Sequence, residues 1–196
     1  MEYDLIMVGV SAGGLQALST LLEGLPADFK VPLVLVQHRS KDSTTALCEI
    51  LQDRSKLPVQ EVTDKAPISP GQVYLAPADY HLLVERGQFS LSVDEPELYS
   101  RPSIDVAFES AASAYGAGVV GVVLTGANED GAEGLRAIAS RGGHPVVQDP
   151  RSAEVPRMPS AALARVPDAV VLSLGDISPY LASLQNVSAT PTRRQR

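Results

Sequence analysis

Short runs of aliphatic and β-branched residues alternate with amphipathic segments, and this alternation constrains the fold more than any other feature of the chain. Residues 31–37 and 118–124 are almost continuously apolar, as is typical of strands buried on both faces of a sheet. Between such runs lie segments with helical spacing of apolar residues. The pattern predicts a doubly wound, mostly parallel α/β sheet with helices on both faces. The inward positions of the first predicted helix are Leu15, Leu18, Leu22 and Leu25.

The region between the two long apolar runs departs from this pattern. Three short β-rich runs separated by turn residues predict a small antiparallel hairpin region: 71–76, 81–84 and 89–93. Pro102 and Ser103 suit the start of a helix that reaches Tyr115. Ser43 or Thr44 suits the cap of an earlier helix. Further strands are predicted at 3–8, near 59, at 145–148 and at 169–172, and further helices at 131–141 and 177–184.

The size and charge of the chain limit its class. With 196 residues, we expect one domain over residues 1–185 and a polar, disordered tail at 186–196. The formal net charge of -7 argues against nucleic acid as a partner. Cys48 is the one cysteine, expected as a small helix residue, and excludes an intrachain disulfide. No secretory pattern and no run of about 20 apolar residues is present, so we expect a cytoplasmic protein without membrane insertion.

Three strand ends carry unusual polar residues. The segments 9–14 (Gly-Val-Ser-Ala-Gly-Gly), 37–39 (Gln-His-Arg) and 125–131 (Thr-Gly-Ala-Asn-Glu-Asp-Gly) each follow an apolar run. In open α/β sheets ligands bind outside the carboxyl ends of the strands. These three segments are therefore the candidates for a functional site.

Ser11 lies between a strand and a helix and has glycines on both sides. A turn of this kind lifts a nucleophilic oxygen clear of the backbone, at a helix N-terminus that favours developing negative charge. The alternative is a phosphate-binding turn of the Gly-x-Gly-x-x-Gly type. In that pattern Ser11 replaces the middle glycine, and Gln37 and His38 stand where an acidic residue is expected. The combination with His38 favours the nucleophile.

His38 is the candidate general base, because it is the one of three histidines that follows a predicted parallel strand. We interpret His81 and His144 as structural. A serine–histidine pair needs a carboxylate to orient the imidazole. Asp130 and Glu129 both suit this role, and a competing interpretation makes Asp130 a cap of the following helix.

With these residues in view, the sequence resembles the catalytic domain of the chemotaxis protein-glutamate methylesterases, the CheB family. The resemblance runs from about Asp4 to about Leu184. The matching segments are 9–14, 36–38, 70–77, 101–106, 121–126, 129–131, 148–149 and 158–159. The resemblance implies a doubly wound parallel sheet and a triad of Ser11, His38 and Asp130.

The resemblance also implies a reaction. It predicts demethylation of glutamate methyl esters on the cytoplasmic helices of methyl-accepting chemoreceptors, with glutamine deamidation in many members, and neither a metal nor another cofactor. The N–H groups of Ala12 and Ala127 are candidate oxyanion donors. Arg101 is a candidate for orienting the substrate or product. The alternative for Arg101 is a structural ion pair with Asp105 or Glu109.

Three features depart from the family pattern. The first strand starts at Tyr3, so we expect a stand-alone catalytic domain, without the usual receiver domain and regulated by a separate response regulator or chemosensory partner. Arg39 replaces a methionine common after the histidine, and Asn128 replaces a glycine in the aspartate turn. The altered turn leaves a second reading open, in which the chain is a degenerate hydrolase-fold binding module of a chemosensory pathway.

Overall fold

The computed structural model describes residues 3–39 and 46–186. In these segments the strands are β1 (Leu5–Val10), β2 (Leu33–Gln37), β3 (Val59–Glu61), β4 (Val73–Leu75), β5 (His81–Glu85), β6 (Gln88–Ser92), β7 (Val119–Val123), β8 (His144–Gln148) and β9 (Val170–Leu172). Seven of them form one sheet in the order β3-β4-β2-β1-β7-β8-β9, and every neighbouring pair is parallel. β5 and β6 form a separate antiparallel hairpin.

Six helices cover the two faces of the sheet in the described part of the chain: α1 (Gly14–Gly24), α2 (Ala46–Arg54), α3 (Ile104–Tyr115), α4 (Ala132–Ser140), α5 (Arg157–Arg165) and α6 (Leu174–Asn186). One hydrophobic core joins the sheet to α1, α2 and α6. The other joins it to α3, α4, α5 and the hairpin. The predicted doubly wound α/β fold with a small antiparallel hairpin is therefore confirmed.

The central strand explains why the apolar runs are continuous. In β1 the side chains of Leu5 and Met7 enter the core under α3 and α4, whereas Ile6 and Val8 enter the core under α1 and α6. All four are buried. A strand covered on both faces has no solvent side, so its sequence does not alternate between apolar and polar residues.

Two details differ from the expectations. Residues 73–75 form β4, which lies between β3 and β2 in the main sheet and does not belong to the hairpin. A three-residue buried strand is too short for its sequence to distinguish these two partners. In α1, Leu15 is exposed and Leu21 is buried, because the buried face of the helix contains Gly14, Ala17, Leu18 and Leu21 and leaves Leu15 on the solvent side.

No prediction covers α5. Its first turn contains Pro159 and follows Pro156, and prolines are usually read as helix breakers. Proline is tolerated in the first turn, however, because the N–H that it lacks has no partner there. Met158 and Ala162 of α5 are buried against the sheet, so packing stabilises this helix.

Other predictions concern segments outside the described residues. These are the Ser43 or Thr44 cap and residues 187–196 of the predicted tail. The first residue of that predicted tail, Asn186, instead ends α6. The Ser103 cap of α3 is observed, since its hydroxyl accepts from the N–H of Val106 at 3.3 Å. Within residues 3–39 and 46–186, no helix is both long enough and apolar enough to cross a membrane.

Candidate active site

Ser11 follows the carboxyl end of β1 and stands one turn before α1. Its N–H donates to the carbonyl of Thr125, and its carbonyl accepts from the N–H of Gly14 at 2.9 Å. Gly13 has φ of 77°, a left-handed conformation that favours glycine. The tight turn thus fixes Ser11 at the start of a helix, with its side chain half-buried.

His38 follows β2, the parallel neighbour of β1. Its ring nitrogen Nδ1 lies 3.2 Å from Ser11 Oγ, and Nε2 lies 2.6 Å from Asp130 Oδ2. An ionised carboxylate only accepts, so we assign the ring proton to Nε2, which leaves the Nδ1 lone pair for the serine hydroxyl. The two ring nitrogens exchange the places they hold in the common Ser-His-Asp triad, and either nitrogen can act as the base.

Asp130 is completely buried and accepts four hydrogen bonds. Oδ2 accepts from His38 Nε2 and from the N–H of Ile104 at 2.7 Å. Oδ1 accepts from Ser103 Oγ at 3.0 Å and from the N–H of Asp105 at 2.9 Å. Burial by itself raises the pKa of Asp130, but the donated hydrogen bonds, led by that of His38, outweigh it and hold the pKa below its ordinary value. The carboxylate is therefore an anion, as an orienting group requires.

The observed contacts of Asp130 do not agree with the competing interpretation, in which Asp130 caps the helix after it. Asp130 instead accepts from the first turn of α3, through Ile104 and Asp105. Asp105 in turn accepts from the N–H groups of Gly131 and Gly134 at the start of α4, at 2.8 and 2.6 Å. The first turn of α3 thus supplies the carboxylate that binds the N-terminus of α4, and the turn before α4 supplies the carboxylate that binds the N-terminus of α3. Burial first, and then repulsion from Asp130, raise the pKa of Asp105 to about 7.

Arg101 forms an ion pair, but with neither of the predicted partners. Its Nε and Nη2 donate to Asp79 Oδ1 at 3.2 and 2.6 Å. Its Nη1 donates to the carbonyls of Val93 and Asp94. The structural ion pair of the alternative interpretation is thus present, but its partner is Asp79 and not Asp105 or Glu109, because the guanidinium faces the hairpin and the following loop.

The candidate oxyanion donors Ala12 and Ala127 lie in the turns after β1 and β7. Neither N–H donates a hydrogen bond to any acceptor among the described residues, so both are available to a ligand. The turn before Asp130, in which Asn128 replaces a glycine, has an ordinary backbone conformation at Asn128. Asn128 does not have a positive φ, and its side-chain oxygen accepts from the N–H of Asp130 at 3.2 Å. The glycine that the family has there is not needed for this conformation.

Two pockets flank the serine–histidine pair. One, of about 450 Å³, is lined by His38, Arg39 and Asp79 together with residues of the loop 96–101. The other, of about 410 Å³, is lined by Ser11, Gln37 and Glu154, among others. Glu154 was not predicted from the sequence. It approaches Gly13 from the segment before α5.

Arg39 has a buried guanidinium. Its side chain is 6% exposed and pairs with Glu61 through Nη2 at 2.6 Å. Its Nε and Nη1 are buried without a partner in the part of the chain that is described. The family methionine at this position is thus replaced by a charge that turns toward β3.

The remaining histidines and the cysteine lie apart from this site. His81 is buried, accepts from the N–H of Ser103 at 3.2 Å and donates to the carbonyl of Glu95 at 3.0 Å. Burial lowers the pKa of His144, which contacts Tyr180. Burial also raises the pKa of the Cys48 thiol, which disfavours the reactive thiolate. Over residues 3–39 and 46–186, no cluster of three His, Cys, Asp or Glu side chains could hold a metal ion.

A parallel α/β sheet with a Ser-His-Asp hydrogen-bond chain at its carboxyl edge defines the class of α/β serine hydrolases. The profile of one family, CheB methylesterase, matches residues 6–181. The chain therefore belongs to the CheB methylesterase family. This finding confirms the resemblance and, with it, the class of hydrolase that the resemblance implied.

Individual relatives agree with the family. A protein of Leptospira interrogans named "Putative protein-glutamate methylesterase/protein-glutamine glutaminase" is 45% identical over 179 residues, which cover 91% of this chain and 93% of that protein. A Pseudomonas aeruginosa protein-glutamate methylesterase/protein-glutamine glutaminase 3 is 41% identical over 92% of this chain but only 54% of its own length. The crystal structure of the Thermotoga maritima CheB methylesterase catalytic domain matches with a TM-score of 0.88 and 30% identity, covering 94% of this chain and 100% of that domain.

Proposed function

We propose that the protein hydrolyses glutamate methyl esters on the cytoplasmic helices of chemoreceptors, with Ser11 as nucleophile and His38 as general base. In this proposal Asp130 orients the imidazole and stabilises its protonated form. One observation carries this proposal. His38 bridges Ser11 Oγ at 3.2 Å and the buried Asp130 carboxylate at 2.6 Å, at the sheet edge where such folds place their chemistry.

In the acylation step, Ser11 Oγ attacks the ester carbonyl while its proton moves to His38 Nδ1. The carboxylate of Asp130 stabilises the imidazolium that forms. The carbonyl oxygen becomes an oxyanion, for which the free N–H groups of Ala12 and Ala127 are the proposed donors. The N-terminus of α1, directly after Ser11, favours the same negative charge.

The tetrahedral intermediate then collapses. The C–O bond to the methoxy group breaks, the proton on His38 Nδ1 passes to the leaving oxygen, and methanol departs. Water next attacks the acyl-enzyme and gives one proton to Nδ1. The bond between the acyl carbon and Ser11 Oγ then breaks, Nδ1 returns the proton to Oγ, and the product leaves as a glutamic acid side chain that ionises in solvent. The same acyl-enzyme forms from a glutamine side chain with ammonia as the leaving group, and relatives carry both activities in their names. We therefore propose glutamine deamidation as a second reaction of the same site.

The substrate sets the place of action. Because the helices concerned are cytoplasmic, we propose that the protein works in the cytoplasm, beside the membrane that holds the receptors and without inserting into it. We further propose that a separate chemosensory protein, such as a response regulator, controls its access to the receptors. Arg101 receives no direct substrate role here, since Asp79 and two carbonyls accept from four of its five N–H donors.

Methanol release from methylated receptor fragments tests the function. The wild type and Ser183→Ala, which removes an exposed hydroxyl of α6 that donates to the Tyr180 carbonyl, should release methanol equally. Ser11→Ala should release none while retaining the circular dichroism spectrum of the wild type. Labelling by a fluorophosphonate should likewise disappear in Ser11→Ala alone. Turnover by Ser11→Ala near the wild-type rate would refute the assignment, and a wild type that neither turns over nor reacts with the probe would support the binding module.

A further inference from the structure

Exposed apolar side chains concentrate around the proposed active site. Seven large apolar residues of the described chain are exposed: Leu15, Ile50, Tyr80, Val93, Leu98, Tyr99 and Val171. Leu15 lines the pocket that contains Ser11, and Tyr99 lines the pocket that contains His38. Val93 and Leu98 belong to the same loop as Tyr99. Apolar residues grouped around a site mark a surface that contacts another molecule.

Leu98 and Tyr99 form the tip of a tight turn. The N–H and carbonyl groups of Glu97 and Ser100 pair with each other, at 3.2 and 2.8 Å. The two residues between them have φ values of 47° and 64°. Two consecutive positive φ values are the pattern of a type I′ turn, in which asparagine and glycine are the usual residues. Large side chains at both positions are disfavoured by the backbone, so their presence requires a reason outside the turn itself.

The turn is held firmly although its tip is exposed. Arg101 Nη1 donates to the carbonyls of Val93 and Asp94 at 2.8 and 2.9 Å. His81 Nε2 donates to the carbonyl of Glu95 at 3.0 Å. The strand before the loop and the segment after it are thereby joined at its base. Tyr99, the most exposed of these residues at 103%, therefore projects from a loop whose base is tied by hydrogen bonds.

We propose that the turn of residues 97–100 is the docking surface for the substrate protein, with Tyr99 as its apolar anchor. The inference rests on the proposed function. Tyr99 and His38 line one pocket of about 450 Å³, so a glutamyl ester that reaches His38 carries its own helix past Tyr99. The surface that Tyr99 contacts is an apolar stretch of that helix beside the ester. A tyrosine offers a large contact area with only two side-chain torsions and so loses little conformational entropy on binding, which is why this residue type is enriched at interaction hot spots.

Binding measured without turnover tests the inference. In protein carrying Ser11→Ala, the dissociation constant for a methylated chemoreceptor cytoplasmic fragment is compared with and without Tyr99→Ala, and we expect a rise of about tenfold or more. Tyr99→Gly separates the effect of losing the side chain from the effect of backbone strain, because glycine adopts a positive φ without strain. This variant should melt at a higher temperature and still bind weakly. Val171→Ala, which trims another exposed apolar residue on the edge strand β9, should bind as its parent does.

The outcomes separate the two proposals. If the wild type releases methanol from the fragment and both Tyr99 variants bind like their parent, the docking surface is wrong and the proposed function stands. If the wild type releases no methanol but the fragment binds and Tyr99→Ala weakens that binding, the proposed function fails and the docking surface stands. If sedimentation shows self-association that Tyr99→Gly abolishes, the turn contacts a second copy of this chain, and the proposal is overturned in favour of a dimer.

Discussion

Asparagine in place of Asp105 is expected to stabilise the protein at pH 8 more than at pH 5. Burial and the neighbouring Asp130 raise the pKa of Asp105 to about 7, whereas an unfolded aspartate titrates near 4. Between these values the folded state binds more protons than the unfolded state, so wild-type stability decreases as the pH rises from about 4 to about 7. An asparagine cannot ionise, and its oxygen can still accept from Gly131 and Gly134.

The size of the effect follows from the same shift. Between pH 5 and a pKa of about 7 lie two units, each worth about 1.36 kcal/mol, which gives about 2.7 kcal/mol at the full shift. Water reaches part of the Asp105 side chain, so we reduce this difference to about 1–1.5 kcal/mol. Glu129, Glu133 and Arg165 line the small pocket beside Asp105, and they are the same in both proteins.

Urea unfolding followed by circular dichroism at pH 5 and pH 8 measures this difference directly. The control is Asp149→Asn. Hydrogen bonds from Arg151 lower the pKa of Asp149, so that group is ionised at both pH values and its replacement should have the same effect at each. A gain from Asp105→Asn that is equal at the two pH values, or larger at pH 5, would refute a raised pKa at this position.

Three further predictions concern the site and its support. Asp130→Asn should lower kcat for methanol release by about 10⁴-fold, because the amide no longer fixes the His38 tautomer. Gly134→Ala should destabilise the protein by about 1–3 kcal/mol in urea unfolding, since the added Cβ would lie 2.5 Å from Phe108 Cβ. Gly175→Ala is the control and should not destabilise the protein, because nothing lies within 4 Å of the added Cβ. Tyr74→Phe should cost about 0.5–1.5 kcal/mol through the loss of the hydrogen bonds to the N–H of Ser69 and the carbonyl of Pro67, and methanol release at saturating substrate should be unchanged.

The fold was predictable because its signal is local. Continuous apolar runs identified β1, β2 and β7, and their carboxyl ends identified the three segments that meet at the site. The parts that could not be predicted depend on packing between distant segments. β4 has the same composition whether it joins the sheet or the hairpin, and only its buried place between β3 and β2 decides between them. α5 contains prolines that are acceptable only because its first turn has free N–H positions.

The site was predictable in part for the same reason. Ser11 and His38 follow adjacent strands, so the rule for parallel sheets brings them together. The sequence alone did not distinguish Asp130 from Glu129; that choice came from the family resemblance. The structure supplies the physical reason, since Asp130 is buried with four donors around it whereas Glu129 is exposed.

Asp105 shows what a local pattern cannot reveal. Its position in the first turn of α3 predicts an ordinary stabilising charge at a helix N-terminus. In the fold its carboxylate binds the N-terminus of α4 instead, and Asp130 binds that of α3. A half-buried and a buried carboxylate 25 positions apart in sequence thus oppose each other's ionisation, and His38 resolves the conflict by hydrogen bonding to Asp130 alone. The proton that one of the pair takes up near neutral pH therefore resides on Asp105, which leaves Asp130 charged to orient the imidazole.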